Sequence, residues 1–202
     1  MEKTIGQKRQ YKVAVFDLDG CIMDDITAQF NSKFGKQDHG MFNSIFKETL
    51  FNAAQLLLRG KEFHKSLLNE YTLDENVINV MRQMQEVGTE INIVTKNKGV
   101  NEKWLSNLMN RYGININPKN IHKVNGNKGS KIKELNANIV FDDQPDIISV
   151  IHKAYNKNAK NLPLIVLIRR EYNNILTTIL RNVDKNIVVV NSEDLLNFLD
   201  YK

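Results

Sequence analysis

Six short apolar runs punctuate this 202-residue chain, at 13–17, 91–95, 121–124, 139–142, 164–168 and 187–190. Helical or turn patterns follow them, with helices expected at 76–87, 102–112, 129–135, 146–154, 172–181 and 192–199. Strands separated by helices pair in parallel, because a strand rejoins its neighbour in the same direction only through a crossover, and the helices then cover both faces of the sheet. Runs so rich in Val and Ile, with little polar alternation, are those of strands buried on both sides. The fold class is therefore α/β, a Rossmann-like three-layer parallel sheet. An apolar content of 42% and a charged content of 25% suit an ordinary globule, and a chain of this length can bury about 70% of its unfolded surface.

One stretch breaks the alternation. From 24 to 74 the pattern is mainly helical for roughly 50 residues, against about 4–6 for an ordinary loop. Residues 1–23 and 75–202 are expected to form the core and 24–74 a helical insertion. Phe30, Phe34, Phe42, Phe46, Phe51 and Phe63 place six of the nine phenylalanines there. They form the insertion's own core, or one or two ring faces stack on a substrate base. The first ten residues carry charge without an apolar centre, so a short mobile arm is expected rather than a secretory signal. No apolar run approaches the roughly 20 residues that span a bilayer, so no membrane partner is expected.

The single Cys21 cannot form an internal disulfide, which suits a reducing cytoplasm, and its place directly after a turn suits a small apolar filler. His39, His64, His122 and His152 lack metal-ligand spacing, so zinc is not expected. The net charge of +5 and the pI near 9.2 favour anionic partners. The basic residues are nevertheless spread along the chain, with Lys8-Arg9 and Arg169-Arg170 as the tight pairs. Trp104, Leu105 and Leu108 fall at helical spacing, which puts Trp104 in the core.

The chemistry gathers where strands end. The run from Val13 to Leu18 has five apolar residues of six and then delivers Asp17 and Asp19, with Gly20 supplying a sharp turn. Residues two apart on an extended backbone face one side, so the two carboxylates can address one reacting centre. Buried carboxylates are costly unless a cation meets them. Asp142 and Asp143 end a second apolar strand, and in open parallel sheets ligands bind at the carboxyl ends of the strands, so the two acidic pairs should meet. Thr95 ends a third strand, where it can bind an anion or cap the next helix. Lys128 opens a helix whose dipole also favours an anion, which ranks it above Lys131. Asp146 caps the helix after Pro145 or supports a metal shell.

Asp17-Leu18-Asp19-Gly20, then Thr95, Lys128 and Phe141-Asp142-Asp143-Gln144-Pro145-Asp146, in that order over residues 12–145, resemble the haloacid dehalogenase superfamily of phosphotransferases. The resemblance implies a Mg²⁺-dependent phosphomonoester hydrolase. Asp17 would attack phosphorus to give an aspartyl-phosphate, and Asp19 would serve as acid and then base. Asp17, Asp142 and the backbone carbonyl of Asp19 would hold Mg²⁺, with Asp143 behind them. Thr95, Lys96 and Lys128 would bind phosphate, and the insertion would be a small helical cap. Cys21 departs from the usual Thr or Val. The cap type, the Asp-Asp-Gln-Pro-Asp segment and Arg169-Arg170-Glu171-Tyr172-Asn173 are most similar to the 5′(3′)-deoxyribonucleotidase group. That implies a deoxynucleoside monophosphate as substrate. The alternatives are a polynucleotide-end phosphatase, a sugar-phosphate phosphatase, a strand end that holds only a structural cation, and a non-catalytic binding module of the same fold.

Overall fold

The structure is a computed structural model and describes residues 11–23, 73–156, 159–170 and 186–200. These belong to one of two compact units of the chain, 1–23 with 73–202. The other unit, 24–72, lies outside the described residues, as do the first ten residues, the expected helix 172–181, His39 and His64.

Six strands form one sheet: β1 (Val13–Phe16), β2 (Glu90–Thr95), β3 (Ile121–Lys123), β4 (Ile139–Asp142), β5 (Leu164–Arg169) and β6 (Ile187–Asn191). Their order is β3-β2-β1-β4-β5-β6, and every pairing is parallel. Val15, Val94, Val140, Ile165 and Leu167 point into one apolar cluster with Ile132, Ile151 and Tyr155 from the helices. Their strand neighbours Phe16, Ile93, Phe141 and Val166 point the other way and are equally buried, so both faces of the sheet are covered.

The helices α1 (Glu75–Glu86), α2 (Glu102–Arg111), α3 (Lys128–Glu134), α4 (Ile147–Tyr155) and α5 (Leu195–Asp200) supply that cover. Their starts are written in side chains: Asp74 caps α1, Asn101 caps α2 and Asn127 caps α3, each carboxylate or amide oxygen accepting from a first-turn N–H. Helices α3 and α4 meet closely at Gly129, where a Cβ would run into the carbonyl oxygen of Val150 and the side chain of Ala154. That glycine lets α3 seat deeply, and Lys128 is buried beside it.

Three details differ from the sequence expectations. Leu73 and Asp74, placed in the insertion, belong with the core: Leu73 pairs with Met23, and the Asp74 N–H donates to the Ile22 carbonyl. The buried side of α2 is Leu105, Ser106 and Met109, so Trp104 stands at the margin of the stripe, only partly covered. Asp146 occupies the N-cap position of α4, but its side chain makes no capping hydrogen bond. No helix among the described residues is long and apolar enough to cross a membrane.

Candidate active site

The strand order reverses direction at β1, with β2 on one side and β4 on the other, and such a switch point opens a crevice at the carboxyl edge of a parallel sheet. Register then decides which side chains meet there. Phe16 pairs with Phe141 across β1 and β4, and their rings stack at 4.4 Å. The next residue of each strand is an aspartate, and the Asp17 N–H donates to the Phe141 carbonyl at 2.9 Å. After Asp17 the chain turns sharply through Gly20, whose φ of 79° is costly for any residue with a Cβ.

Asp17, Asp142 and Asp143 are 6%, 2% and 0% exposed. One carboxylate oxygen from each lies within 4.8 Å of the others. Lys128 enters from the start of α3, its Nζ 2.6 Å from Asp17 Oδ2 and 3.2 Å from Asp142 Oδ2. Backbone and amide donors meet three further oxygens of the group. Leu18 N–H donates to Asp17 Oδ1 at 2.7 Å, Gln144 N–H to Asp142 Oδ1 at 2.8 Å, and Gln144 Nε2 to Asp143 Oδ2 at 2.8 Å.

Two carboxylates, Asp17 and Asp142, share one ammonium in this pocket, and the titration of the groups reflects it. Burial, then the charge of Asp142, pushes Asp17 up to about 7 against the pull of Lys128. Burial likewise pushes Asp142 up to about 6, Lys128 opposing and Asp143 adding. Burial works against the Lys128 charge, but Asp142 and Asp17 outweigh it and hold the ammonium above the ordinary lysine range. A group of hard oxygen donors with surplus negative charge and no nitrogen or sulfur ligand fits a cation such as Mg²⁺. Asp17, Asp142 and Asp143 are the residues whose side chains would hold it.

Around this centre the cleft is lined by Asp19, Thr95, Lys96, Gln144 and Asp146. Thr95 is fully buried at the end of β2, while Lys96 is exposed at the cleft wall. The Asp19 side chain is exposed and turned to Thr95 and Asn97: Thr95 Oγ1 lies 3.3 Å from Asp19 Oδ2, and Asn97 Nδ2 donates to Asp19 Oδ1 at 3.2 Å. Helix capping by Thr95 is not what the structure shows, since Asn101 caps α2. Lys131 pairs instead with Glu134 at 2.6 Å on the surface, so Lys128 is the lysine brought to the acids. Cys21 is fully buried with its thiol pushed up by burial, as an inert filler should be.

Three residues at this edge escaped sequence reasoning. Asn97 was legible only as an Asn two positions past a strand-terminal Thr, and Gln144 as the residue after an acidic pair. Arg170, singled out as part of a basic pair, faces inward: Nε donates to the Gly20 carbonyl at 2.9 Å, Nη2 to the Cys21 carbonyl at 2.9 Å and Nη1 to Asp74 Oδ2 at 2.7 Å.

No protein-family model matches the chain, and no curated protein matches it in sequence. Solved structures do. A haloacid dehalogenase-like hydrolase from Burkholderia xenovorans is similar with a TM-score of 0.56 at 15% identity, over 94% of this chain and 96% of that one. A HAD-family IA hydrolase from Entamoeba histolytica aligns over 95% of this chain and 100% of its own, at 14% identity and a TM-score of 0.48. A HAD-superfamily hydrolase from Ehrlichia chaffeensis aligns over 95% and 97%, at 16% identity and 0.46. The first of these establishes a shared fold, that of the haloacid dehalogenase-like hydrolases.

Proposed function

We propose that this chain is a phosphomonoester hydrolase of the haloacid dehalogenase superfamily, working through Asp17. The observation that carries the reading is the ion pair of the buried Asp17 carboxylate with Lys128, beside Asp142 and Asp143 at the adjacent strand end. Phosphoryl transfer needs an in-line nucleophile, a proton for the leaving oxygen and positive charge around the transferring oxygens. Asp17 is the nucleophile: its carboxylate oxygen bonds to phosphorus as the ester P–O bond breaks. Asp19 gives its proton to the departing oxygen, then takes one from the water that hydrolyses the aspartyl-phosphate. Lys128 neutralises phosphate charge, and Thr95 and Lys96 hold phosphate oxygens. Asp17, Asp142 and Asp143, with the Asp19 backbone carbonyl, would hold Mg²⁺, which when bound would supply the further charge neutralisation that keeps Asp17 ionised.

The substrate in this reading is a nucleoside monophosphate, a deoxyribonucleotide first, selected by the 24–72 insertion acting as a cap. The phenylalanines of that insertion support the choice; they lie outside the described residues. Arg170 does not support it, being committed to Gly20, Cys21 and Asp74. The net charge of +5 favours one competitor, a phosphatase of nucleic-acid ends. Phosphate release by the purified chain with Mg²⁺ separates the two, on a panel of nucleoside monophosphates, 3′- and 5′-phosphorylated oligonucleotides and sugar phosphates. The expected result is highest kcat/KM on a mononucleotide, abolished by EDTA and by Asp17→Asn. A win for the oligonucleotide, with binding that falls steeply as salt rises, selects the end phosphatase. Release from no ester makes the chain a binding module.

A further inference from the structure

We propose that Asn97 is a positioning residue that aims the Asp19 carboxylate at the leaving-group oxygen, an inference that rests on the phosphohydrolase reading above. Asp19 is the exposed member of an otherwise buried acidic group. A carboxylate in that position swings between rotamers unless donors hold it, and a displacement of about 1 Å at a reacting group costs on the order of 100-fold in rate.

The donors that hold it are themselves fixed in direction. Gly99 N–H donates to Asn97 Oδ1 at 3.0 Å, which settles which end of the amide is oxygen and turns Nδ2 toward Asp19 Oδ1 at 3.2 Å. The Asn97 N–H donates to Thr95 Oγ1 at 2.9 Å, so the hydroxyl is occupied as an acceptor and its proton is left for Asp19 Oδ2 at 3.3 Å. One residue, through backbone and side chain, thus orders these two contacts to Asp19.

The two contacts are not equivalent once an ester binds. Thr95 has one hydroxyl proton, and a phosphate oxygen in the cleft competes for it with Asp19. Asn97 Nδ2 carries two protons, so it keeps one on Asp19 Oδ1 while Thr95 turns to the phosphate. Asn97 touches no reacting atom; it acts through Asp19.

This role separates from a merely structural one by leaving group. An alkyl phosphate departs as a basic alkoxide and needs the Asp19 proton, whereas p-nitrophenyl phosphate departs as a stable phenolate and needs it little. Asn97→Ala should therefore lower kcat for an alkyl phosphate by about 10- to 100-fold and for p-nitrophenyl phosphate by less than about 3-fold, with KM for both and the thermal midpoint little changed. If Asn97→Ala does not fold, Asn97→Ser, which keeps a small side-chain oxygen for the Gly99 N–H and lacks the donor to Asp19, should show the same split. Equal losses on the two esters, or no loss on the alkyl phosphate, overturn the proposal. A wild-type chain inactive on both overturns the phosphohydrolase reading, and this inference with it.

Discussion

Two buried acid–base groups sit at the carboxyl edge of the same sheet, and they are built to opposite ends. Around Asp74 every charge is answered. Its Oδ1 accepts from the N–H groups of Asn76 and Val77, and its Oδ2 accepts from Arg170 at 2.7 Å and Ser192 Oγ at 2.5 Å. One carboxylate meets one guanidinium, and the other two arms of Arg170 end on carbonyls. Around Asp17 two carboxylates, Asp17 and Asp142, meet one ammonium, and burial pushes both far above the usual carboxylate range. The Asp74 and Asp17 carboxylates are both hidden from water. Burial and residue type therefore do not distinguish a structural knot from a reactive centre; the charge left unanswered does.

That contrast can be broken experimentally, most forcefully by removing the cation of each group. Lys128→Met and Arg170→Met each leave buried carboxylate charge behind and should each cost about 3–5 kcal/mol in urea unfolding with chelator present. Removing an acid separates the groups by sign. At pH 8 in chelator, Asp74→Asn should destabilise by about 1–3 kcal/mol, because its helix-capping and guanidinium contacts weaken. Asp17→Asn should instead raise the melting midpoint by about 2 °C or more, since it relieves repulsion with Asp142. A loss at Asp17 as large as at Asp74 would mean the first group is as balanced as the second.

The pH dependence sharpens the same point. Asp17 and Asp142 bind protons more tightly in the folded chain than in the unfolded one, whose carboxylates stay near 3.8. Between pH 4 and the folded values of about 7 and about 6, the folded state holds more protons, so their contribution to stability declines as pH rises through that window. The difference between wild type and the Asp17→Asn, Asp142→Asn double variant should show this decline in chelator and lose most of it in saturating Mg²⁺. The smallest effect is expected at Lys131, whose exposed pair with Glu134 should leave the urea midpoint unchanged when the lysine is replaced by Met.

Much of this edge was legible before the fold was known. Strand ends announce themselves because a run such as Ile139-Val140-Phe141 can be buried on both faces only in a parallel sheet, and the acids that follow it must then lie at its rim. Lys128 was favoured over Lys131 by its place at a helix start, and the close seat of Gly129 against Val150 explains why that lysine reaches the acids. What stayed hidden was partnership across long separations. Arg170 and Asp74 meet through the positions of β5 and α1, which no local pattern encodes, and a pair of adjacent arginines reads equally as a surface patch. Trp104 was misplaced by one step around α2, because helical spacing fixes a stripe but not its edge. The aim of Asp19 was hidden for a similar reason: an Asx-type turn at Asn97 sets it, far from the Asp-Leu-Asp run itself.

The claim that Asp17 is a nucleophile is tested most directly by trapping what it forms. The chain is mixed with radiolabelled acetyl phosphate and Mg²⁺, quenched in acid and digested, and the labelled peptide is identified. The account predicts label on the peptide that carries Asp17, none in Asp17→Asn and none in EDTA. Undiminished labelling of Asp17→Asn, or phosphate release by the wild type with label confined to a peptide lacking Asp17, would contradict it.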